Sequence, residues 1–174
     1  MNPPHLVPLV EIVPGDRTSK QAVSSALRFM KAMGKEPVVV KKQLPGFAAN
    51  RIQFAMFREI LSLLDDDVVG MEDLEKIFYA GLGFRLATMG QFTTATLNGG
   101  RGGLRAYFDR YGDDFREYLS SAKAWTSTPE SAKRKAIAGS KHLSVLKGMR
   151  YDEAIRWRDE RLIRVMRQLG YLRF

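Results

Sequence analysis

The chain has 174 residues, 45% of them hydrophobic, with a formal net charge of +9, which suits one domain or one domain with part of another. It has no cysteine and only two histidines, His5 and His142, which excludes a disulfide framework, a thiolate nucleophile and a histidine-rich metal site. No segment has the roughly 18 apolar residues of a membrane span, and the first residues do not resemble a signal peptide, so we expect a soluble, cytoplasmic protein.

The first part of the chain predicts a β-α-β unit. Leu6–Val13 is a nearly continuous apolar run, which is typical of a strand buried on both faces. Thr18 or Ser19 can cap the helix that follows, Gly34 ends this helix, and Pro37–Val40 is the second strand. Strand, helix and strand at this spacing predict parallel pairing through a right-handed crossover. Because two strands are too few for a stable sheet, we interpret the unit as the end of a larger fold.

Glu11 and Asn50 are polar residues at positions where packing favours apolar ones. Glu11 interrupts the first apolar strand, where a carboxylate needs a partner unless it lies near an exposed strand end. Asn50 follows a corner at Pro45-Gly46 and falls in the first turn of a helix predicted over residues 48–64. Its amide either satisfies nearby backbone groups or faces a ligand.

From residue 48 onward the pattern predicts helices. The segment 48–64 is apolar on most of its circumference, which is typical of a helix central to its domain or in a subunit interface. Two glycine-rich segments have neither phosphate-binding nor dinucleotide spacing and are predicted to be loops. The further predicted helices are Met71–Ala80, Leu104–Leu119 with a break near Gly112, one starting at Pro129, and Asp152–Leu169, and the predicted loops are Gly81–Arg85 and Asn98–Gly103.

Charged residues raise two further alternatives. Asp65–Asp67 either binds a cation or forms a solvated loop, and the loop is favoured. From Lys123 onward, thirteen Lys and Arg residues stand against five Asp and Glu residues. Such a region binds nucleic acid or the phosphates of an anionic ligand, or it forms a solvated helical face. Because acidic residues interrupt the basic ones, we favour the solvated face and do not expect nucleic-acid binding.

Three stretches of the sequence carry a family resemblance. They are Asn2–Gly15 with Thr18-Ser19, then Gly34–Lys42 with Pro45-Gly46-Phe47 and Asn50-Arg51, and finally Gly81–Arg85. Together they resemble the 3-hydroxyacyl-CoA dehydrogenase family, in particular its branch with L-gulonate 3-dehydrogenase (lambda-crystallin) and carnitine dehydrogenase. The resemblance covers residues 2–108, and Arg158-Asp159 with Leu162-Ile163 matches more loosely.

The resemblance implies a mainly α protein, in which a helical C-terminal dehydrogenase domain follows a β-α-β remnant of a dinucleotide-binding fold. It assigns residues 1–44 to the terminal β-α-β portion of the NAD-binding domain and residues 45–174 to a helical substrate-binding and dimerisation domain. It also implies NAD as the cofactor, a 3-hydroxyacyl-CoA or a polar 3-hydroxyacid as the substrate, and a homodimer without a membrane partner.

The same resemblance implies two catalytic residues. Glu11 matches the family's glutamate, which orients and charges the histidine that takes the substrate's hydroxyl proton, and Asn50 matches the asparagine that positions substrate and histidine. The family's histidine lies three residues before the position of Asn2, outside this sequence, and His5 is not its equivalent. The glycine-rich motif is absent as well. We therefore expect NAD to be bound by the missing N-terminal domain and no dehydrogenase turnover from this chain alone. The alternative is a non-catalytic helical domain that binds an acyl-CoA or a partner.

Overall fold

The computed structural model describes residues 2–172 and is mainly helical, with one small parallel sheet, as predicted. Three short helices of other types connect the α-helices: a π-helix at Ile77–Gly83 and 3-10 turns at Gly100–Gly102 and Ser144–Leu146. In chain order the strands and α-helices are β1 (Leu9–Ile12), α1 (Lys20–Ala32), β2 (Glu36–Val39), α2 (Phe47–Asp65), α3 (Met71–Lys76), α4 (Phe84–Thr88), α5 (Gln91–Asn98), α6 (Gly103–Ser121), α7 (Glu130–Ser140) and α8 (Tyr151–Gln168).

The first of two compact units comprises Met1–Met56 and Gly148–Phe174. In it β1 pairs with β2 in parallel, with Glu11 opposite Val38, and α1 forms the crossover. The Ser19 hydroxyl accepts a hydrogen bond from the Ala22 N–H at 3.1 Å, which confirms Ser19 as the predicted cap of α1. The predicted β-α-β order is therefore confirmed. The predicted domain boundary after residue 44 stays a prediction.

The first strand is shorter than the predicted Leu6–Val13. The N–H groups of Leu6 and Val7 both donate to the Pro3 carbonyl, at 3.2 and 3.0 Å, and so form a turn. Pairing starts where the Glu36 N–H donates to the Pro8 carbonyl at 2.9 Å. Apolar side chains alone do not show where a ladder begins, because the competing turn uses backbone atoms only.

The second unit is Phe57–Lys147. Its main difference from the prediction is that Gly81–Arg85 is helical, because α3, the π-helix and α4 follow one another without a loop. Gly112 likewise does not break α6, which runs unbroken from Gly103 to Ser121. Isolated glycines weaken a helix by about 1 kcal/mol each, which is too little to end one that is otherwise supported. The predicted loop at Gly81–Arg85 and the predicted helix break near Gly112 were therefore wrong, whereas Asn98–Gly103 contains the expected irregular turn.

Asp65–Asp67 binds side chains of its own unit. Asp65 accepts a hydrogen bond from the Ser131 hydroxyl at 2.9 Å. Asp66 pairs with Lys123 at 3.0 Å, and Asp67 pairs with Lys135 at 2.7 Å. Lysine ammonium groups therefore pair with two of the three carboxylates of this segment. Across residues 2–172 no cluster of three metal-ligating side chains is found.

Few side chains are buried, and many large apolar ones are exposed. In the described part of the chain the buried apolar residues are Leu61, Leu74, Ala95, Ala132 and Met166. Exposed aromatic residues include Phe54, Phe84, Phe92, Tyr118 and Tyr151. Exposed apolar surface of this extent is typical of a chain that contacts further protein. None of the described helices has the length and apolar character needed to cross a membrane.

Candidate functional site

Glu11 caps the N-terminus of α2. Its side chain leaves β1, and Oε1 accepts hydrogen bonds from the N–H groups of Ala48 at 2.8 Å and Ala49 at 3.1 Å. The first N–H groups of a helix have no partner within it, and its N-terminus favours negative charge. The half-buried carboxylate thus has the partner that its position required, and that partner is backbone. The strand and the helix are joined at this point.

The corner before α2 holds these N–H groups in place. The Phe47 N–H donates to the Leu44 carbonyl at 2.9 Å and closes a turn. Gly46 and Phe47 both have left-handed backbone angles, with φ of 78° and 49°. Glycine adopts this region freely, whereas for Phe47 it costs roughly 1–2 kcal/mol. A strained residue directly before the Glu11 contact shows that the surrounding structure fixes this corner.

Asn50 lies next in the chain to Ala49, in the first turn of α2, and is exposed. The structure therefore brings Glu11 to the helix turn that carries Asn50, although the two residues are far apart in the sequence. Within residues 2–172 the Asn50 amide makes no hydrogen bond with another group, so it does not satisfy the nearby backbone. Its donor and acceptor thus have no partner among the described residues. The role of either residue in chemistry stays a prediction.

The second oxygen of the Glu11 carboxylate is also free. Both contacts with α2 use Oε1, and among the described residues Oε2 has no hydrogen-bond partner. A carboxylate has about four acceptor positions on two oxygens, so a group fixed through one oxygen can still accept a hydrogen bond through the other. Glu11 is therefore held in a defined orientation with acceptor capacity left over.

His5 is engaged elsewhere in the same unit. Its Nε2 lies 3.3 Å from Oδ2 of Asp159 on α8. Asp159 Oδ1 accepts a hydrogen bond from Arg158 Nε at 2.8 Å and lies 2.7 Å from Arg158 Nη2 in an ion pair. The sequence resemblance included Arg158-Asp159 but gave no indication of this contact. Lys35, which donates to the carbonyls of Pro4 and Val7, was missed as well, because a lysine after a helix end gives no distinctive signal.

The loop after β1 does not have the features of a dinucleotide site. Pro14–Ser19 contains one glycine, Gly15, whose N–H already donates to the Thr18 hydroxyl at 3.0 Å. The Ala22 N–H, at the start of α1, is taken by Ser19. Pyrophosphate recognition needs a glycine-rich turn with free N–H groups at a helix N-terminus. These residues do not by themselves hold NAD.

The sequence matches two family models. Residues 1–43 match "3-hydroxyacyl-CoA dehydrogenase, NAD binding domain", and residues 46–138 match "3-hydroxyacyl-CoA dehydrogenase, C-terminal domain". The chain belongs to the 3-hydroxyacyl-CoA dehydrogenase family. The match confirms the predicted family, and with it NAD as the family's cofactor.

Individual relatives agree with this assignment. The chain is 34% identical to a 3-hydroxyacyl-CoA dehydrogenase of Gibberella moniliformis, 36% to an L-carnitine dehydrogenase of Nocardiopsis dassonvillei and 33% to lambda-crystallin of Oryctolagus cuniculus. These alignments cover 95%, 97% and 97% of this chain, but only 52%, 50% and 53% of the relatives. The chain thus spans about half the length of the curated relatives it matches. The predicted branch is confirmed.

A solved structure shows the same fold. The NAD+-dependent dismutase 5-formyl-3-hydroxy-2-methylpyridine 4-carboxylic acid 5-dehydrogenase superposes with a TM-score of 0.64 at 26% identity. The superposition covers 95% of this chain and 52% of that protein. The two proteins therefore share a fold over most of this chain.

Proposed function

We propose that this chain is the substrate-binding and dimerising C-terminal part of an NAD-dependent dehydrogenase that acts on 3-hydroxyacyl-CoA or 3-hydroxyacids. The observation that carries the proposal is the Glu11 carboxylate, fixed by two N–H groups of α2 beside the exposed Asn50. These are the two positions that the family resemblance assigns to catalysis, and their proximity at one helix end supports the proposal.

Glu11 orients the imidazole that takes the proton of the substrate's hydroxyl group. Its Oε1 is anchored to Ala48 and Ala49, so its free Oε2 accepts a hydrogen bond from a ring N–H without moving. This contact selects one tautomer and stabilises the imidazolium that forms. Asn50 offers an amide donor and acceptor to the substrate oxygen at the same helix end.

The imidazole must come from outside this sequence. Of its two histidines, His5 contacts Asp159. In the described residues neither ring is hydrogen-bonded to Glu11. We therefore propose that the 174-residue chain binds substrate but gives no dehydrogenase turnover by itself. Turnover belongs to the whole protein, as in relatives of about twice this length.

A substrate panel tests this proposal. NADH formation is measured for the complete protein with a short 3-hydroxyacyl-CoA and with L-carnitine, and binding of each is measured on the 174-residue chain by calorimetry. We expect turnover of at least one substrate, a loss of about 100-fold or more in kcat for Glu11→Gln, and a loss of about tenfold or more for Asn50→Ala. Gln21→Ala, an exposed amide in the first turn of α1, is the matched control.

Two results would contradict the proposal. Turnover that survives both Glu11→Gln and Asn50→Ala would show that the site lies elsewhere. Saturable acyl-CoA binding without turnover of any substrate by the complete protein would support the alternative, a non-catalytic acyl-CoA-binding domain.

Dimerisation is the second part of the proposal, and α6 supports it. An apolar stripe runs along this helix at spacings of three and four residues, and its members after Leu104 are mostly aromatic. Several of its side chains are exposed, including Phe108, Tyr118 and Leu119. The stripe consists of Leu104, Tyr107, Phe108, Tyr111, Phe115, Tyr118 and Leu119.

The partner that fits the stripe is a second copy of α6 in antiparallel orientation. The half of α6 before Gly112 carries net positive charge and the half after it net negative charge, so two antiparallel copies pair opposite charges at both ends. A two-fold interface also buries every residue of the stripe twice. The charged residues are Arg105, Asp109 and Arg110 in the first half and Asp113, Asp114, Arg116 and Glu117 in the second.

A further inference from the structure

We infer that Asp159 on α8 and Lys35 after α1 are positioning residues for β1, the strand that carries Glu11. They hold the turn Pro3–Val7, called the N-terminal turn below, which leads directly into β1 and thus to Glu11. The structural part of this inference stands on the contacts within one compact unit. Its consequence for turnover rests on the proposed function.

The N-terminal turn has little internal support. Its own hydrogen bonds are those of the Leu6 and Val7 N–H groups to the Pro3 carbonyl. Pro3 is buried, whereas Pro4 and His5 are exposed. A short segment with two exposed residues and few internal hydrogen bonds opens easily unless other elements hold it. The contacts with α8 and with the end of α1 supply that restraint.

Lys35 holds the carbonyl side of the turn. Its Nζ donates to the Pro4 carbonyl at 3.2 Å and to the Val7 carbonyl at 3.3 Å. Lys35 is half-buried and follows Gly34, whose left-handed φ of 71° ends α1 and directs the chain towards β2. One ammonium group has three donors, so it can bridge two carbonyls at once. Lys35 therefore connects the turn to the start of β2.

Asp159 holds the turn through the side chain of His5. Arg158 donates to Oδ1 of Asp159 through Nε and forms an ion pair with the same oxygen through Nη2, which fixes the carboxylate and leaves Oδ2 directed at Nε2 of His5. Asp159 is 23% exposed and Arg158 31% exposed, whereas His5 is 62% exposed. Arg158 and Asp159 on α8 are thus less mobile than His5, and it is the turn that is restrained.

β1 connects the N-terminal turn to Glu11, so a contact that holds the turn also holds Glu11. The strand is only four residues long, and Glu11 is paired opposite Val38 of β2. If the turn moves, the short β1–β2 pairing shifts or frays from its first residue, Leu9. Glu11 then moves as well, and its hydrogen bond with the Ala48 N–H becomes longer. The matched family models end at residue 138, so they include neither α8 nor Asp159.

Nuclear magnetic resonance on the 174-residue protein tests whether Asp159 restrains the N-terminal turn. Asp159→Asn keeps the size of the side chain and removes its charge, and Glu160→Gln is the matched control because Glu160 is the neighbouring exposed acid on α8. For Asp159→Asn we expect shifted His5 ring resonances and exchange of the Val7 and Ala48 amides that is about two- to fivefold faster. Glu160→Gln leaves these signals at their wild-type values.

A second pair of variants tests the other contact. Lys35→Met removes the donors and keeps the length of the side chain, and Lys31→Met, at the exposed end of α1, is its control. We expect faster amide exchange at Val7 for Lys35→Met alone. If Asp159→Asn and Lys35→Met both match their controls in the His5 resonances and in amide exchange, the inference is wrong.

Turnover separates positioning from simple stabilisation. In the complete protein, below its melting temperature, we expect Asp159→Asn to lower kcat about three- to tenfold with KM unchanged, because Glu11 moves while the binding surface does not. A change in KM alone, or an equal effect of Glu160→Gln, would overturn this step. If the wild-type protein has no turnover, the proposed function fails. The resonance data still decide whether Asp159 and Lys35 hold the N-terminal turn.

Discussion

Oε1 of Glu11 lies 2.8 Å from the backbone nitrogen of Ala48, so a side chain of the first strand caps a helix that begins 36 residues later in the chain. The contact explains how a carboxylate is tolerated in an otherwise apolar strand. It also sets the position of Asn50, which lies in the same helical turn. One interaction thus brings Glu11 to the helical turn that carries Asn50, the other residue that the family resemblance assigns to catalysis.

Removing this cap should destabilise the protein. For Glu11→Ala we expect the free energy of unfolding to fall by about 1–2 kcal/mol, because two N–H groups of α2 lose their acceptor. Glu11→Gln keeps an acceptor oxygen and should lose less. Urea unfolding measures the change, and Glu36→Ala, an exposed acid on the neighbouring strand, is the control. Equal stability of Glu11→Ala and wild type would contradict the capping role.

Glycines at two positions should respond in opposite directions. Gly46 has a φ of 78°, so Gly46→Ala should lower the free energy of unfolding by roughly 1–2 kcal/mol and disturb the corner before α2. Gly112 lies inside α6, where an added Cβ meets no atom within 4 Å. Gly112→Ala should therefore raise the free energy of unfolding by about 0.5–1 kcal/mol. Denaturation of the two variants side by side checks both signs, and a loss of stability for Gly112→Ala would mean that α6 does bend there.

The pKa of Asp159 should make stability depend on pH. The hydrogen bond from Arg158 and, after it, that from His5 hold the pKa of this carboxyl below its ordinary value of 3.8. A lowered pKa in the folded state contributes stability that is present above the unfolded value and is lost as the pH falls through the folded one. Asp159→Asn should therefore flatten the acid limb of the stability curve below about pH 4.

Thermal unfolding at a series of pH values measures this effect. Glu160→Gln, measured alongside, should keep the wild-type slope. Glu72, whose pKa is lowered by hydrogen bonds from Ser144, and Glu130, whose pKa is lowered by Lys133, titrate in the same acid range and remain in both variants. The difference between the variants thus isolates Asp159. Identical slopes would show that the Arg158 and His5 contacts do not persist in solution.

Local chemistry made a good part of the fold predictable from the sequence. Ser19 before an apolar helix and Gly34 after it marked α1 correctly, because caps depend on residues adjacent in the chain. Gly81–Arg85 was misread as a loop, since glycine pairs usually mark turns, whereas here a π-helix continues α3 into α4. Contacts in the tertiary structure can override a weak local preference of this kind.

The candidate site, like the fold, was predictable only in part from the sequence. Glu11 and Asn50 could be selected because a polar residue in an apolar pattern needs a partner. The partner of Glu11 could not be identified, because it is backbone N–H, which every residue except proline has. The pair His5 and Asp159, separated by 154 residues, has no periodicity or spacing to reveal it. Only the folded chain brings these groups together.

The apolar stripe of α6 makes the dimer testable with a single charge. Leu119 is 71% exposed in the structure, and burial at a two-fold interface should contribute about 1.5–3 kcal/mol for each copy. We expect light scattering at micromolar concentration to give a dimer for the wild type and a monomer for Leu119→Asp. Ser120→Asp adds the same charge to the next residue, off the stripe, and should remain dimeric. A monomeric wild type, or equal behaviour of the two variants, would exclude α6 as the interface.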